Sequence, residues 1–231
     1  MRYPGSVHTP DPTATPPGDL RERRRAETGA QITAAALTLI EREGIERTTV
    51  ADIAREAGIS PRTFFRYFPS KEAAAVNGQI AFTAAIQALA TTEPAPASAL
   101  DAIVANMRAG APLLPQLESA YRRVLLSLER ERGDTREQLF RIRTLMLRHA
   151  SLRAASLLYE DNNDLRLARA LSERPAPAAD LDECLLIVHA ASFALRITFD
   201  EWVRRSGELP AVSLTEIYDR VTSLQRRVLG A

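Results

Sequence analysis

At 231 residues the chain is long enough to bury a sizeable core, as one large domain or two small ones, and its 45% hydrophobic and 26% charged residues are those of an ordinary soluble globular protein. The net charge of +1 neither announces nor excludes a nucleic-acid partner, because a local basic patch on a reading head matters more than the total. A lone cysteine, Cys184, excludes an intrachain disulfide framework, and no apolar run approaches the roughly 20 residues of a membrane helix or forms a signal-peptide core, so the expectation is a cytoplasmic protein with no membrane partner.

Residues 1–18 carry five of the 14 prolines and almost no large apolar residue, which predicts a disordered arm. A helix is expected from Asp19 to Glu43, with Ile32, Ala35, Ala36, Leu39 and Ile40 as its buried stripe and Gly44 as its end. Ahead of that stripe, Arg23, Arg24 and Arg25 form a basic patch that either grips phosphates and reaches into a minor groove or is a solvated helix start.

Residues 48–72, TTVADIAREAGISPRTFFRYFPSKE, read as two short helices joined by a tight turn. Val50, Ile53, Ala54 and Ala57 recur at helical spacing, and Thr49 with Asp52 three residues on makes a capping box. Gly58 stops that helix, Ser60 caps the next, and Pro61 suits a first position whose N–H has no partner anyway. At about 100° per residue Phe64 and Phe68 point inward together, leaving Arg62, Thr63, Phe65 and Arg66 outside and Tyr67 at the boundary. Such a face suits a major groove: arginine forks onto guanine, threonine and phenylalanine pack on a thymine methyl, and tyrosine reaches phosphate. Lys71, the only lysine, follows Ser70 at the start of the next helix and is expected to touch phosphate. Singly these are ordinary solvated arginines on a helical hairpin. An outward Phe65 among them makes more sense if a partner covers the face.

On these residues, the segment 21–90 resembles the N-terminal domain of the TetR family of bacterial transcriptional regulators. The likeness runs from the amphipathic helix before Gly44 through the AxxAGIS turn to TFFRYFPSKE, which stands in place of the family's usual T-L-Y-x-x-F-x-x-K-E. Phe65 replaces a tyrosine that in the family reaches a phosphate, so one hydroxyl contact is missing, and Tyr67 is the candidate to compensate. The resemblance implies an all-α protein with a helix-turn-helix DNA-binding domain at 19–92, its motif at 49–68, and a helical ligand-binding and dimerisation domain at 93–231. The DNA-binding residues carried over are Arg24, Arg25, Thr49, Ser60, Arg62, Thr63, Phe65, Arg66, Tyr67 and Lys71. In the family the fourth helix, here expected from Lys71 to Thr91 and ending before the EPAPAS joint at 93–98, transmits ligand binding to the head.

Beyond the joint everything reads helical: about 98–108, 115–131, 135–149, 151–173, 180–206 and 213–229, separated by Gly110, Pro112 and Pro115, Gly133, Pro175 and Pro177, and Gly207 and Pro210. Leu181, Leu185, Val188, Ser192, Leu195, Phe199 and Trp202 alternate in steps of four and three, as do Leu214, Ile217, Val221, Leu224 and Val228. Two such seams, with Ala190, Ala191 and Ala194 allowing close approach, predict an intersubunit four-helix bundle in a homodimer, against the alternative that both seams lie within one protomer's core. Candidate pocket residues for a small-molecule effector are Met107, Tyr121, Phe140, Met146, His149, His189 and Phe193. The stretch from LFRIRTLMLRHASLRAA to ALRITFDEW also resembles a TetR subgroup that includes the mycofactocin regulator and acyl-CoA-binding relatives. That likeness implies a fatty acyl-CoA as effector, with Arg143, Arg148 or Arg153 near its phosphates.

No catalytic constellation is visible. His8, His149 and His189 are isolated, there is no HExxH, CxxC or glycine-rich phosphate loop, and Glu160, Asp161 and Asp164 read as a solvated face, so neither an enzyme nor a metal or organic cofactor is expected. The leading reading is a ligand-responsive repressor on a pseudo-palindromic DNA operator. A helical small-molecule-binding or interaction protein that no longer reads DNA is the alternative, marked by a flat response of binding to salt.

Overall fold

A computed structural model of the chain describes residues 17–77, 112–130, 134–173, 179–206 and 213–229. Within them the backbone is helical, with no strand: α1 Pro17–Glu43, α2 Val50–Glu56, α3 Pro61–Tyr67, α4 Lys71–Val76, α5 Leu113–Arg130, α6 Asp134–Arg148, α7 Ala150–Ser172, α8 Leu181–Arg205 and α9 Leu214–Leu229. Two boundaries differ informatively from the sequence reading. α1 begins at Pro17, inside the expected arm, and Pro115 lies in the first turn of α5 rather than breaking it, because a first-turn proline forfeits no intrahelical bond. The rest of the arm, the helix at 98–108, the course of α4 past Asn77, the EPAPAS joint and the breaks at Gly110, Gly133, Pro175, Pro177, Gly207 and Pro210 lie outside the described residues.

Local chemistry accounts for the tight α2–α3 unit. The Asp52 amide donates to Thr49 Oγ1 at 3.2 Å and the Thr49 amide donates to Asp52 Oδ2 at 3.2 Å, closing the box on both sides. The Thr49 hydroxyl and Arg55 together hold the Asp52 carboxyl below its usual range. Gly58, at φ +67°, ends α2: its amide donates to Arg55 O and the Ile59 amide reaches Ala54 O at 2.9 Å, a paired closure that needs a left-handed residue. Ser60 and Ser70 then accept from Thr63 N and Ala73 N, each at 3.1 Å. Each cap stabilises its helix by about 1 kcal/mol, which matters for helices as short as seven residues.

Two apolar clusters form. The first joins α1, α2, α3 and α4 around Ile32, Ile40, Ile53 and Phe64, all essentially without solvent contact, and extends to Ile142, Leu145 and Met146 of α6 and Leu152 of α7. The second packs α8 at the centre of α5, α7 and α9, with Leu117, Leu125, Val188, Phe199, Trp202, Leu214 and Tyr218 inside. The N-terminal head therefore has no separate floor. Its base is the helical body, through α6 and the start of α7.

Candidate nucleic-acid interface

The outer face of α3 shows Arg62, Phe65 and Arg66 to solvent while Phe64 is fully buried. Phe65 is 58% exposed, and its ring stands edge-on to Phe64 at 5.6 Å between centroids, so the buried ring holds the exposed one. Tyr67 is half-buried, with the Arg25 guanidinium 5.7 Å and the Arg66 guanidinium 5.4 Å from its ring centre. The tyrosine thus draws a side chain of α1 and one of α3 to the same spot. The Thr28 hydroxyl, followed by these two arginines, holds the Tyr67 phenol below its ordinary pKa. Among the described residues Arg24, Arg25, Arg62 and Arg66 are exposed and carry no ion pair, whereas exposed Arg55 is tied to Asp52.

Four of the ten expected contact residues have other tasks. Thr49 and Ser60 use their hydroxyls as caps, and Thr63 is half-buried with Oγ1 3.0 Å from Ser60 Oγ. Lys71 corrects the sequence reading most clearly. Its Nζ donates to Ile45 O at 2.6 Å and Thr48 O at 3.0 Å, so the ammonium ties down the α1–α2 connection instead of standing free for phosphate. Nothing local signals this, since the two carbonyls lie 26 and 23 residues back along the chain.

In the body, the described pocket candidates are spread over several places, with Tyr121 and His189 both near Asp164. Met107 lies outside the described residues. Met146 packs in the head's apolar cluster, because α6 runs beneath the head. His149 is the residue before α7 and makes no side-chain cap there. His189 and Phe193 face outward on α8, Phe193 being 51% exposed beneath the Arg196 guanidinium. Phe140 is half-buried and meets Trp202 edge-on at 5.2 Å, whereas Tyr121 is buried.

What does converge near Tyr121 is a polar seam that the sequence reading took for a solvated face. Ser192 Oγ donates to Asp164 Oδ1 at 2.8 Å and also pairs with the Tyr121 phenol, whose pKa burial pushes up. Withdrawal from water raises the Asp164 carboxyl to about 6. Glu160 accepts from Ser156 Oγ at 3.0 Å and lies 3.8 Å from the buried Arg143, whose guanidinium covers the Phe199 ring at 4.7 Å. Asp161 alone of the three acids is exposed. Arg143 is therefore turned into the protein, while Arg148 and Arg153 remain exposed.

Most of the two heptad seams is spent inside the protomer. Val188, Phe199, Trp202, Leu214 and Ile217 are buried inside the protomer, and Leu185, Leu195 and Val221 pack against the same core, half-covered. Among the described side chains of α8 and α9, the large apolar ones left in solvent are Leu181, Leu186 (75%), Phe193, Leu224 (49%) and Val228 (74%): Leu186 and Phe193 lie off the predicted seam, whereas Leu181, Leu224 and Val228 belong to it. Gln225 Nε2 donates to Ala190 O at 2.9 Å, which brings the exposed parts of α8 and α9 side by side. Among the described residues no helix is long and apolar enough to cross a membrane, and no group of histidine, cysteine and acid side chains is arranged to hold a metal ion.

The family of bacterial regulatory proteins designated tetR matches residues 32–73. The chain is 32% identical over 211 residues to the HTH-type transcriptional regulator TcmR of Streptomyces glaucescens, covering 89% of this chain and 87% of that one. A stretch of 51 residues is 47% identical to the putative mycofactocin biosynthesis transcriptional regulator MftR of Mycobacterium tuberculosis, covering 22% of this chain and 26% of that one. Among solved structures, Thermus thermophilus FadR, a TetR-family transcriptional repressor in complex with lauroyl-CoA, aligns with a TM-score of 0.47 at 21% identity, covering 85% of this chain and 92% of that one.

Proposed function

Since the chain belongs to the tetR family of bacterial regulatory proteins, whose members are transcription regulators and not enzymes, we propose that it acts as a twofold reader of a pseudo-palindromic operator, a repressor released when a small molecule enters its helical body. The observation that carries this reading is the set of four exposed guanidiniums of Arg24, Arg25, Arg62 and Arg66, without an ion pair among the described residues, of which Arg25 of α1 and Arg66 of α3 meet at the Tyr67 ring beside the exposed Phe65. Arg62 and Arg66 with Phe65 read base edges in the major groove. Arg24 and Arg25 hold phosphate, and Tyr67 orients Arg25 and Arg66 more than it contacts DNA itself. Phe65 makes the reading face more apolar than the family pattern, favouring a thymine methyl at its position.

A single head of this size covers too little DNA for useful specificity. The partner that completes the reader is a second copy, joined through Leu186, Phe193, Leu224 and Val228, an exposed apolar strip that association would remove from water. The two heads then meet half-sites about one helical turn apart, roughly 34–36 Å, or somewhat more. The effector is an apolar small molecule, and a fatty acyl-CoA is the first compound to try. It needs to prefer the released state by only a few kcal/mol to empty the operator.

The test is selection of bound sequences from a random DNA pool by the full chain, followed by titration at several salt concentrations. An inverted repeat, with affinity falling steeply as salt rises, supports the reading. Recovery of no sequence and a flat salt response would leave a helical ligand-binding protein instead.

A further inference from the structure

α6 is a member of both apolar clusters. Leu139 is buried with the body, whereas Ile142, Leu145 and Met146 are buried with the head. Two arginines two residues apart, and therefore about 200° apart around the helix, take hold in opposite directions. Arg143 is turned into the body, over the Phe199 ring and toward Glu160. Arg141 is turned to the head: its Nε donates to Glu41 Oε1 at 2.8 Å and its Nη2 to Glu41 Oε2 at 2.6 Å, a two-pronged grip on the last turn of α1. Thr38 Oγ1, one turn earlier on α1, lies 3.5 Å from the same Nη2.

Apolar contacts between helices resist separation but tolerate sliding and rotation. A planar guanidinium forked onto a carboxylate does not, because both bonds are directional. Among the described residues the directional contacts seen between α1 and α6 are those of Arg141 with Glu41 and Thr38, and the fork onto Glu41 gives the joint an angle. We infer that Glu41 and Arg141 form a positioning pair that sets the orientation of the head on the body, and through it the half-site separation that the protein accepts. This rests on the operator reading above.

Both partners are about one third exposed, so their replacement leaves the core intact. The full chain and its Arg141→Ala, Glu41→Ala and doubly substituted variants are titrated by fluorescence anisotropy against the operator recovered from a random pool and against versions lengthened or shortened between half-sites by one and two base pairs. Each single variant should bind the parent operator about five- to tenfold more weakly, with a smaller penalty for altered spacing, and the double variant should be no worse than either single one. Hydrogen exchange in the same proteins supplies a readout that needs no DNA: amides of the second half of α1 should exchange several-fold faster in all three variants, with those of α8 unchanged. Unaltered spacing preference in both single variants, effects that simply add, or unchanged exchange in α1 would each overturn the inference. If the pool yields no operator, the functional reading fails, and the exchange experiment still decides whether the fork positions the head.

Discussion

Replacing Lys71 by Met separates a structural ammonium from a phosphate-binding one. Methionine keeps a stem of similar length and helix propensity but cannot donate to Ile45 O and Thr48 O, which the ammonium reaches at 2.6 and 3.0 Å. A hydrogen bond from a charged group contributes about 1.5–3 kcal/mol, and these carbonyls are only partly withdrawn from water and can turn to it. Taking the lower end for each and discounting for that recovery leaves a loss of about 2–3 kcal/mol. For a chain of this size the melting temperature should fall by about 5–10 °C, followed by circular dichroism. The slope of log affinity against log salt should stay the same, because no phosphate contact is removed. Had the ammonium held phosphate in each half of a twofold complex, the slope would flatten by about 1.8. A variant that melts within about 1 °C of the parent but loses that much slope would refute the structural assignment of Lys71.

Arg62→Ala should reduce discrimination against single-base changes by about 1–3 kcal/mol, whereas Arg24→Ala should weaken all DNA to a similar extent; competition gel shifts with operator and unrelated DNA compare them. Phe65→Ser should change stability by no more than about 0.5 kcal/mol, since the ring is already more than half in solvent, yet weaken operators that carry thymine at its position, which differential scanning calorimetry and a panel of substituted operators would show. Asp164→Asn tests the polar seam by pH. The folded-state carboxyl, raised to about 6 from the ordinary 3.8 of an aspartate, binds its proton more tightly than in the unfolded chain, so the parent loses stability as pH rises from about 4 through 6, by about 2–3 kcal/mol in all. Asparagine keeps an acceptor for the Ser192 hydroxyl and removes that loss. The variant should therefore melt above the parent at pH 7.5 and close to it at pH 4.5. A variant less stable than the parent at pH 7.5 would contradict the assignment of burial as the cause.

The α2–turn–α3 unit was legible from the sequence alone, down to its caps, because every bond that defines it closes within three to five residues: Thr49 with Asp52, Ile59 with Ala54, Ser60 with Thr63. Its inward and outward faces were legible too, since a seven-residue helix with Phe64 and Phe68 on one side has only one way to bury them. The all-helical character of the body and most helix ends followed from periodicity and from where glycine and proline fall.

What only the tertiary structure decided is how each helix divides its surface among its neighbours. A four-three spacing names an apolar stripe without saying whether that stripe meets the same chain or another, and α8, packed against α5, α6, α7 and α9, uses Val188, Phe199 and Trp202 at home and leaves Leu186 and Phe193 outside. The same holds for charge. Glu41 and Arg141 are 100 residues apart, and Lys71 reaches carbonyls more than 20 residues back. Local order in this protein comes from bonds that short chain segments close on themselves, which a sequence displays. The joint between head and body comes from contacts whose partners meet only after the chain has folded, and no local pattern encodes that meeting.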